Sequence, residues 1–164
     1  MNPDEGIYTL HRYFIWANRM RNHFHQIIDG QGPPPVPDDH TAYSKWLIAP
    51  FAYVSYWFAT LYVVAEGWQE LGLNDSKIDT LLNSSYCNLL KRYRNGVFHY
   101  QKTYFDRRYT EFYDKRDDIM EWVNKVHEEL SRYFLEWYKS RGMDYTLQKL
   151  DNGKIQIVIA KNNK

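Results

Sequence analysis

Between Trp46 and Ala65 the chain carries no charged side chain, and that run limits the available folds more than any other feature. It is about as long as a bilayer-spanning helix. Pro50, Ser55, Thr60, Tyr53, Tyr56 and Tyr62 interrupt it, and tyrosine favours membrane interfaces over the bilayer centre. No second run of this kind occurs in the sequence. A helix apolar all round serves either as the central helix of a bundle or with one face in the core and another against a second copy. We therefore expect a soluble protein with no membrane partner. Its second helix would run from about Thr41 to Gly67, with a bend at Pro50.

The remaining elements follow from period and punctuation. Asn2 and Pro3 suit an N-cap and first helical position. Ile7, Leu10, Phe14, Ala17, Phe24 and Ile28 then repeat at helical spacing to about Asp29. The segment from Gly30 to Pro37, with four prolines and two glycines, reads as an extended connector. Asn74, Asp75 and Ser76 offer caps for a third helix with Ile78, Leu81, Leu82, Ser85, Leu89, Leu90 and Tyr93 on its buried stripe. The aromatic, basic stretch that follows, to about Arg116, has no readable period. A fourth helix places Ile119, Val123, Val126, Leu130, Phe134 and Trp137 on one face and ends near Gly142. Beyond it, Tyr145 to Leu150 and Ile155, Ile157 and Ile159 alternate around Asn152-Gly153, the pattern of a β-hairpin. The expected fold is mainly α: a four-helix up-and-down bundle over residues 1–142, with a short C-terminal β-hairpin at 143–164 as an appendage of the same domain.

Composition narrows the function classes. Aromatic residues make up 18% of the chain, an abundance that suits both core filling and wet interfaces. A net charge of +1 excludes a globally basic nucleic-acid binder but leaves room for a local patch. That patch is visible: residues 91–116 hold eight basic and three acidic side chains, a local +5. Interleaved with them are Tyr93, Phe98, Tyr100, Tyr104, Phe105, Tyr109, Phe112 and Tyr113. Cations can follow phosphates while rings stack on unpaired bases, although most such rings in a globular domain simply fill the core. Cys87 is the sole cysteine, which points to a reducing compartment. Met1 to Gly6 carries two acids and no basic, apolar leader. We expect a cytoplasmic protein.

The sharpest local signal is Arg94-Asn95-Gly96-Val97-Phe98-His99. Here the chain resembles the HEPN superfamily, whose ribonuclease members carry an Arg, usually a polar residue next, and a His after four to six intervening residues. These domains are also helical bundles of about this size. The resemblance rests on this one short motif. It implies a metal-independent endoribonuclease, a homodimer with the two motifs facing one cleft, and a toxin or defence role with an antitoxin or other protein as partner. Arg94, His99 and Asn95 would be the catalytic residues, and no metal or other cofactor is expected. HEPN toxins paired with a nucleotidyltransferase antitoxin tend to carry Tyr two positions after the His. Gln101 stands there instead, with Tyr100 one residue early, which speaks against an antitoxin of that kind.

The residue types suit the chemistry. Cleaving RNA without metal requires a proton to leave a 2′-hydroxyl and another to reach the departing 5′-oxygen. Histidine does both near neutral pH. A guanidinium stabilises the charge gathering on the phosphorane-like transition state, and Asn95 can orient either group. RNA contacts are expected from Arg92, Lys102, Arg107, Arg108 and Tyr100. Geometry sets a condition: on a straight helix, residues five apart point about 140° from one another. Either Gly96 permits a bend that brings Arg94 and His99 together, or each works with a group from another chain. In the plainer alternative Arg94 satisfies helix-end carbonyls or pairs with a carboxylate, and His99 is a hydrogen-bonded core residue. The domain would then be a non-catalytic module for RNA or nucleotide, or a helical protein-interaction domain.

Other candidates are weaker. His23 and His25 diverge by about 200° on a helix and make a poor metal pair. His11, His40 and His127 lack an acid or thiol partner at ligand spacing. Cys87 suits a small buried residue better than an activated thiolate.

Overall fold

A computed structural model of the chain describes residues 3–35, 39–104, 106–149 and 155–161. Among these residues there are six helices and two strands, so the protein is mainly helical. They are α1 (Pro3–Gly30), α2 (His40–Glu70), α3 (Ser76–Leu82), α4 (Ser85–Phe98), α5 (Arg107–Tyr113), α6 (Arg116–Ser140), β1 (Met143–Lys149) and β2 (Ile155–Lys161). By compactness the chain falls into two units, 1–126 and 127–164. The division lies inside α6.

In the first unit α1 packs on α2, α2 on α4 and α4 on α5. Ile7, Leu10, Phe14 and Ala17 form the buried stripe of α1, while Phe24 and Ile28 are half-buried. The two helices approach closely at Gly67, where a Cβ would stand 2.7 Å from Leu10 Cδ1. The Asp39 carboxylate caps α2 by accepting from the Ala42 amide at 2.9 Å. The helix continues through a buried Pro50 to Glu70. The charge-free run behaves as two halves. Trp57, Phe58, Ala59, Leu61, Val64 and Ala65 are buried, while Ile48, Phe51 and Tyr56 stay exposed. Among the described residues α2 is the one helix long and apolar enough to cross a membrane, and half of its most apolar window lies inside the protein.

One expected helix is two. The third helix breaks after Leu82, and Ser84 caps α4 by accepting from the Tyr86 amide at 3.2 Å. Asn83, Ser84 and Ser85 are three cap-forming residues in succession, and here their side-chain bonding to backbone wins over helix continuation. Ser85, expected on the buried stripe, opens α4 and is exposed. Asp75 caps α3, accepting from the amides of Lys77 and Ile78. Asp79 accepts from Trp68 Nε1 at 2.9 Å and so ties α3 to the end of α2. In the stretch without a readable period, Asp106 caps the short α5 through the Arg108 amide. The start of α6 docks through Trp122, whose Nε1 donates to the Leu81 carbonyl at 3.1 Å.

In the second unit α6 continues to Ser140 and ends at Arg141 and Gly142, the latter at φ +67°, the left-handed region that glycine adopts without steric cost. The expected face of α6 is buried throughout, from Ile119, Val123 and Val126 to Leu130, Phe134 and Trp137. β1 and β2 pair antiparallel, from Met143 opposite Lys161 to Lys149 opposite Ile155. The expected turn at Asn152-Gly153 lies outside the described residues, as do Asn2, Val36, Pro37 and Phe105.

Candidate functional site

α4 carries the motif, and its two ends differ in environment. Arg94 sits in the last turns of the helix, half-buried against α2. Its Nη2 donates to Glu66 Oε2 at 2.7 Å, and its Nη1 donates to Asn95 Oδ1 at 3.0 Å. The guanidinium also lies over the Tyr62 ring, 5.3 Å from its centroid. Burial, followed by the Glu66 charge, pushes the Tyr62 hydroxyl above its usual pKa, with Arg94 acting in the opposite sense. Arg94 Nε is buried and, among the described residues, has no hydrogen-bond partner. Asn95 thus orients Arg94. Sequence reasoning missed Glu66, although it is the first charged residue after the apolar run and a lone carboxylate there calls for a cation.

His99 is the C-cap of α4, in extended backbone (φ −119°, ψ 136°) with its amide bonded to the Asn95 carbonyl. It is exposed and lines a cavity of about 890 Å³. The α2 wall of that cavity is Ser44, Leu47, Ile48 and Phe51. The opposite side is formed by the end of α4, the loop through Gln101, Thr103 and Tyr104, and Tyr109 and Thr110 of α5. Arg94 is not part of it. Its partners on α2 are Glu66 and Tyr62, and Tyr62 lies eleven residues beyond Phe51, a helix-axis distance of ~16 Å. Among the described residues no hydrogen bond joins the two motif residues within one chain.

Gly96 provides something other than a bend. It is helical and buried, and a Cβ there would lie 3.3 Å from both Arg108 Cβ and Tyr109 Cζ. The missing side chain is what lets α5 lie against α4. Tyr109 locks that contact by donating its hydroxyl to the Gly96 carbonyl at 2.5 Å.

The loop after His99 is tied down by Gln101. Its Nε2 faces the carbonyls of Asn95 (3.3 Å), Gly96 (3.4 Å) and His99 at the end of the helix, where backbone acceptors outnumber amide donors. Its Oε1 accepts from Arg108 Nη2. Arg108 is held in turn by Asp106, with Nε to Oδ1 at 2.7 Å. The Arg108 side-chain hydrogen bond holds the Asp106 carboxyl down at about 2.

The basic segment is less free than its count suggests. Arg92 and Arg107 both pair with Glu111, at 2.6 and 3.2 Å, and Arg108 belongs to the loop tether. Arg107 keeps 85% of its side chain exposed despite its pair. Lys102 is exposed, and no ion pair holds it among the described residues. The aromatic residues divide. Tyr93 and Phe112 enter the core with rings 4.4 Å apart, and Tyr93 shares a buried 2.8 Å hydrogen bond with Ser55. Phe98, Tyr100 and Tyr104 face outward, Tyr100 at 93% exposure.

Elsewhere, Cys87 is buried and burial pushes its thiol pKa up, the reverse of an activated thiolate. His23 and His25 rest against Tyr53 and Trp57 of α2. No group of three metal-ligating side chains occurs among the described residues. Comparison with protein-family profiles, curated proteins and solved structures finds no match.

Proposed function

We propose that the chain is a HEPN-type domain that binds single-stranded RNA at the His99 end of α4 and cleaves it without a metal, as a two-fold dimer in the cytoplasm. The observation that carries the reading is the placement of His99, exposed at the rim of a cavity beside outward-facing Phe98 and Tyr100. In this reading α1, α2, α4 and α6 are the four bundle helices, and the C-terminal strands are the appendage.

His99 takes the proton of a 2′-hydroxyl, the freed oxygen attacks phosphorus, and the 5′-oxygen leaves with a proton returned by imidazolium. A 2′,3′-cyclic phosphate and a 5′-hydroxyl remain. Arg94 supplies charge to the phosphorane oxygens. Because Arg94 is engaged by Glu66 and Asn95 and does not line the cavity of His99 within a chain, the reading pairs Arg94 of one protomer with His99 of the other across the axis. The exposed strip of α2 through Ala52 and Tyr56, with Phe98 packed on Tyr56 at 6.2 Å, is the face assigned to the second copy. A toxin or defence role with a protein partner suits such an activity. Gln101 is spent on the end of α4, which leaves the position where nucleotidyltransferase-paired toxins carry Tyr without that group.

The Arg94–Glu66 ion pair favours a second reading. An arginine already neutralised within its own chain has less charge to offer a transition state, and the domain then binds RNA or nucleotide without turnover. Incubating the purified protein with a mixed RNA pool, with and without EDTA, separates the two. Cleavage under both conditions supports the nuclease. Binding without cleavage leaves the module. Neither binding nor cleavage leaves a helical protein-interaction domain.

A further inference from the structure

The cavity beside His99 has no counterpart in the chemistry described so far. At about 890 Å³ it lies within the range of small-ligand sites, roughly 300–1,000 Å³. Its floor is apolar, from Leu47, Ile48 and Phe51. Hydroxyl and amide groups of Ser44, Thr103, Thr110 and Gln101 stand around it, and among the described residues no carboxylate or ammonium lines it. Away from His99, such a wall suits a flat, uncharged ring with polar edges better than it suits a phosphate. The cations lie beside it in the sequence instead: Lys45 next to Ser44, and Lys102 between Gln101 and Thr103, both exposed. Tyr100 adds a ring at 93% exposure, next to His99. An exposed tyrosine of this kind contributes nothing to a core.

From this arrangement we infer that the cavity is a subsite for one unpaired nucleobase of single-stranded RNA. The base enters the cavity against Ile48, a neighbouring base stacks on Tyr100, and the phosphates run past Lys45 and Lys102. A duplex keeps its bases stacked inside and has none to give. A second copy of the chain is a poorer occupant. A two-fold interface is self-complementary, so a hollow this size needs a matching knob on the same patch. The inference rests on the RNA-binding part of the proposed function and is independent of cleavage.

The test is equilibrium binding of a fluorescent 2′-O-methyl oligonucleotide, which lacks the free hydroxyl that cleavage needs, to the full chain. Tyr100→Ala is expected to weaken binding roughly five- to a hundred-fold, the range of a lost base stack, and Tyr100→Phe to restore it. Ile48→Glu puts a carboxylate into the cavity at a side chain already 68% exposed, and should weaken single-strand binding at least as much. A duplex of the same sequence should bind more weakly and respond to neither change. If the oligonucleotide binds wild type but both variants match it, the subsite is wrong while RNA binding stands. If Ile48→Glu leaves binding intact and turns a dimer into a monomer by light scattering, the cavity is an interface between copies. If wild type binds no RNA, the underlying reading falls together with the subsite.

Discussion

The two ends of the motif on α4 make an instructive pair. At Arg94 the end of the side chain is held: a carboxylate from α2, an amide from the next residue and a tyrosine ring engage the guanidinium. A turn later His99 stands in extended backbone at an open cavity, among aromatic side chains that face water. The same division runs along α2, packed beside Arg94 and bare beside His99. Six residues of sequence thus span an anchored charge and an accessible acid–base group. What the difference teaches is that a motif's spacing tells which groups are present and leaves open whether one chain can bring them together.

The largest effect should come from separating the two residues between protomers. Arg94→Ala should lower the cleavage rate by about a hundredfold to a thousandfold, as loss of a charge donor does. Mixing it with His99→Ala, after subunit exchange, should restore part of the activity, because the mixed dimer rebuilds one complete site. Light scattering at micromolar concentration should give a dimer mass. A monomeric mass, or no restoration in the mixture, would break the shared-site half of the comparison.

Next in size is the contrast between two adjacent arginines. Arg107→Ala should weaken RNA binding and reduce its salt dependence by about one counterion, with no loss of thermal stability beyond that of a surface pair. Arg108→Ala should release Gln101 and loosen the backbone that carries His99, seen as faster amide exchange at residues 99–102. Since Asp106 is depressed to about 2, the tether contributes above its ordinary pKa of 3.8 and is lost as pH falls through 2. If the two variants behave alike, Arg108 is a phosphate ligand and the tether is incidental.

A smaller change is expected from Gly96→Ala. The tyrosine hydroxyl bonded to the Gly96 carbonyl keeps the ring from moving aside, so the methyl should overpack the α4–α5 contact and cost about 1–2 kcal/mol in urea unfolding. An unchanged or raised midpoint would show that α5 can yield.

The smallest effect concerns α1. Burial lowers His11 on α1 to about 4. The unfolded chain takes up the proton first, so stability should be full above about 6.5 and decline as pH falls towards 4. His11→Gln should flatten that decline between pH 7 and 5. An unaltered slope would assign the acid sensitivity to other groups.

Much of the helical framework was legible because it depends on period alone. Ile7 to Ala17 and Ile119 to Trp137 repeat at helical spacing and are buried as their spacing demands. The break at Leu82 was less visible, since Ile78 to Tyr93 keeps its period across the gap and only the cap residues Asn83 to Ser85 reveal it. At the candidate site, the motif could be read from sequence. Glu66 as the partner of Arg94, Gln101 as the brace of the loop and the partition of the aromatic residues could not. Each depends on which helix lies alongside, and contacts from residue 66 to 94 or from 55 to 93 leave no periodic trace.

The account stands most directly on His99. An all-ribo single strand and its counterpart with a single 2′-deoxy nucleotide at the cut site would be incubated in EDTA with wild type and His99→Ala. Wild type should cleave only the all-ribo strand, leaving a 2′,3′-cyclic phosphate. His99→Ala should cut about a hundredfold to ten-thousandfold more slowly while its helical circular dichroism stays unchanged. An His99→Ala protein that cleaves as fast as wild type, or a wild type that cleaves the deoxy-substituted strand equally well, would contradict it.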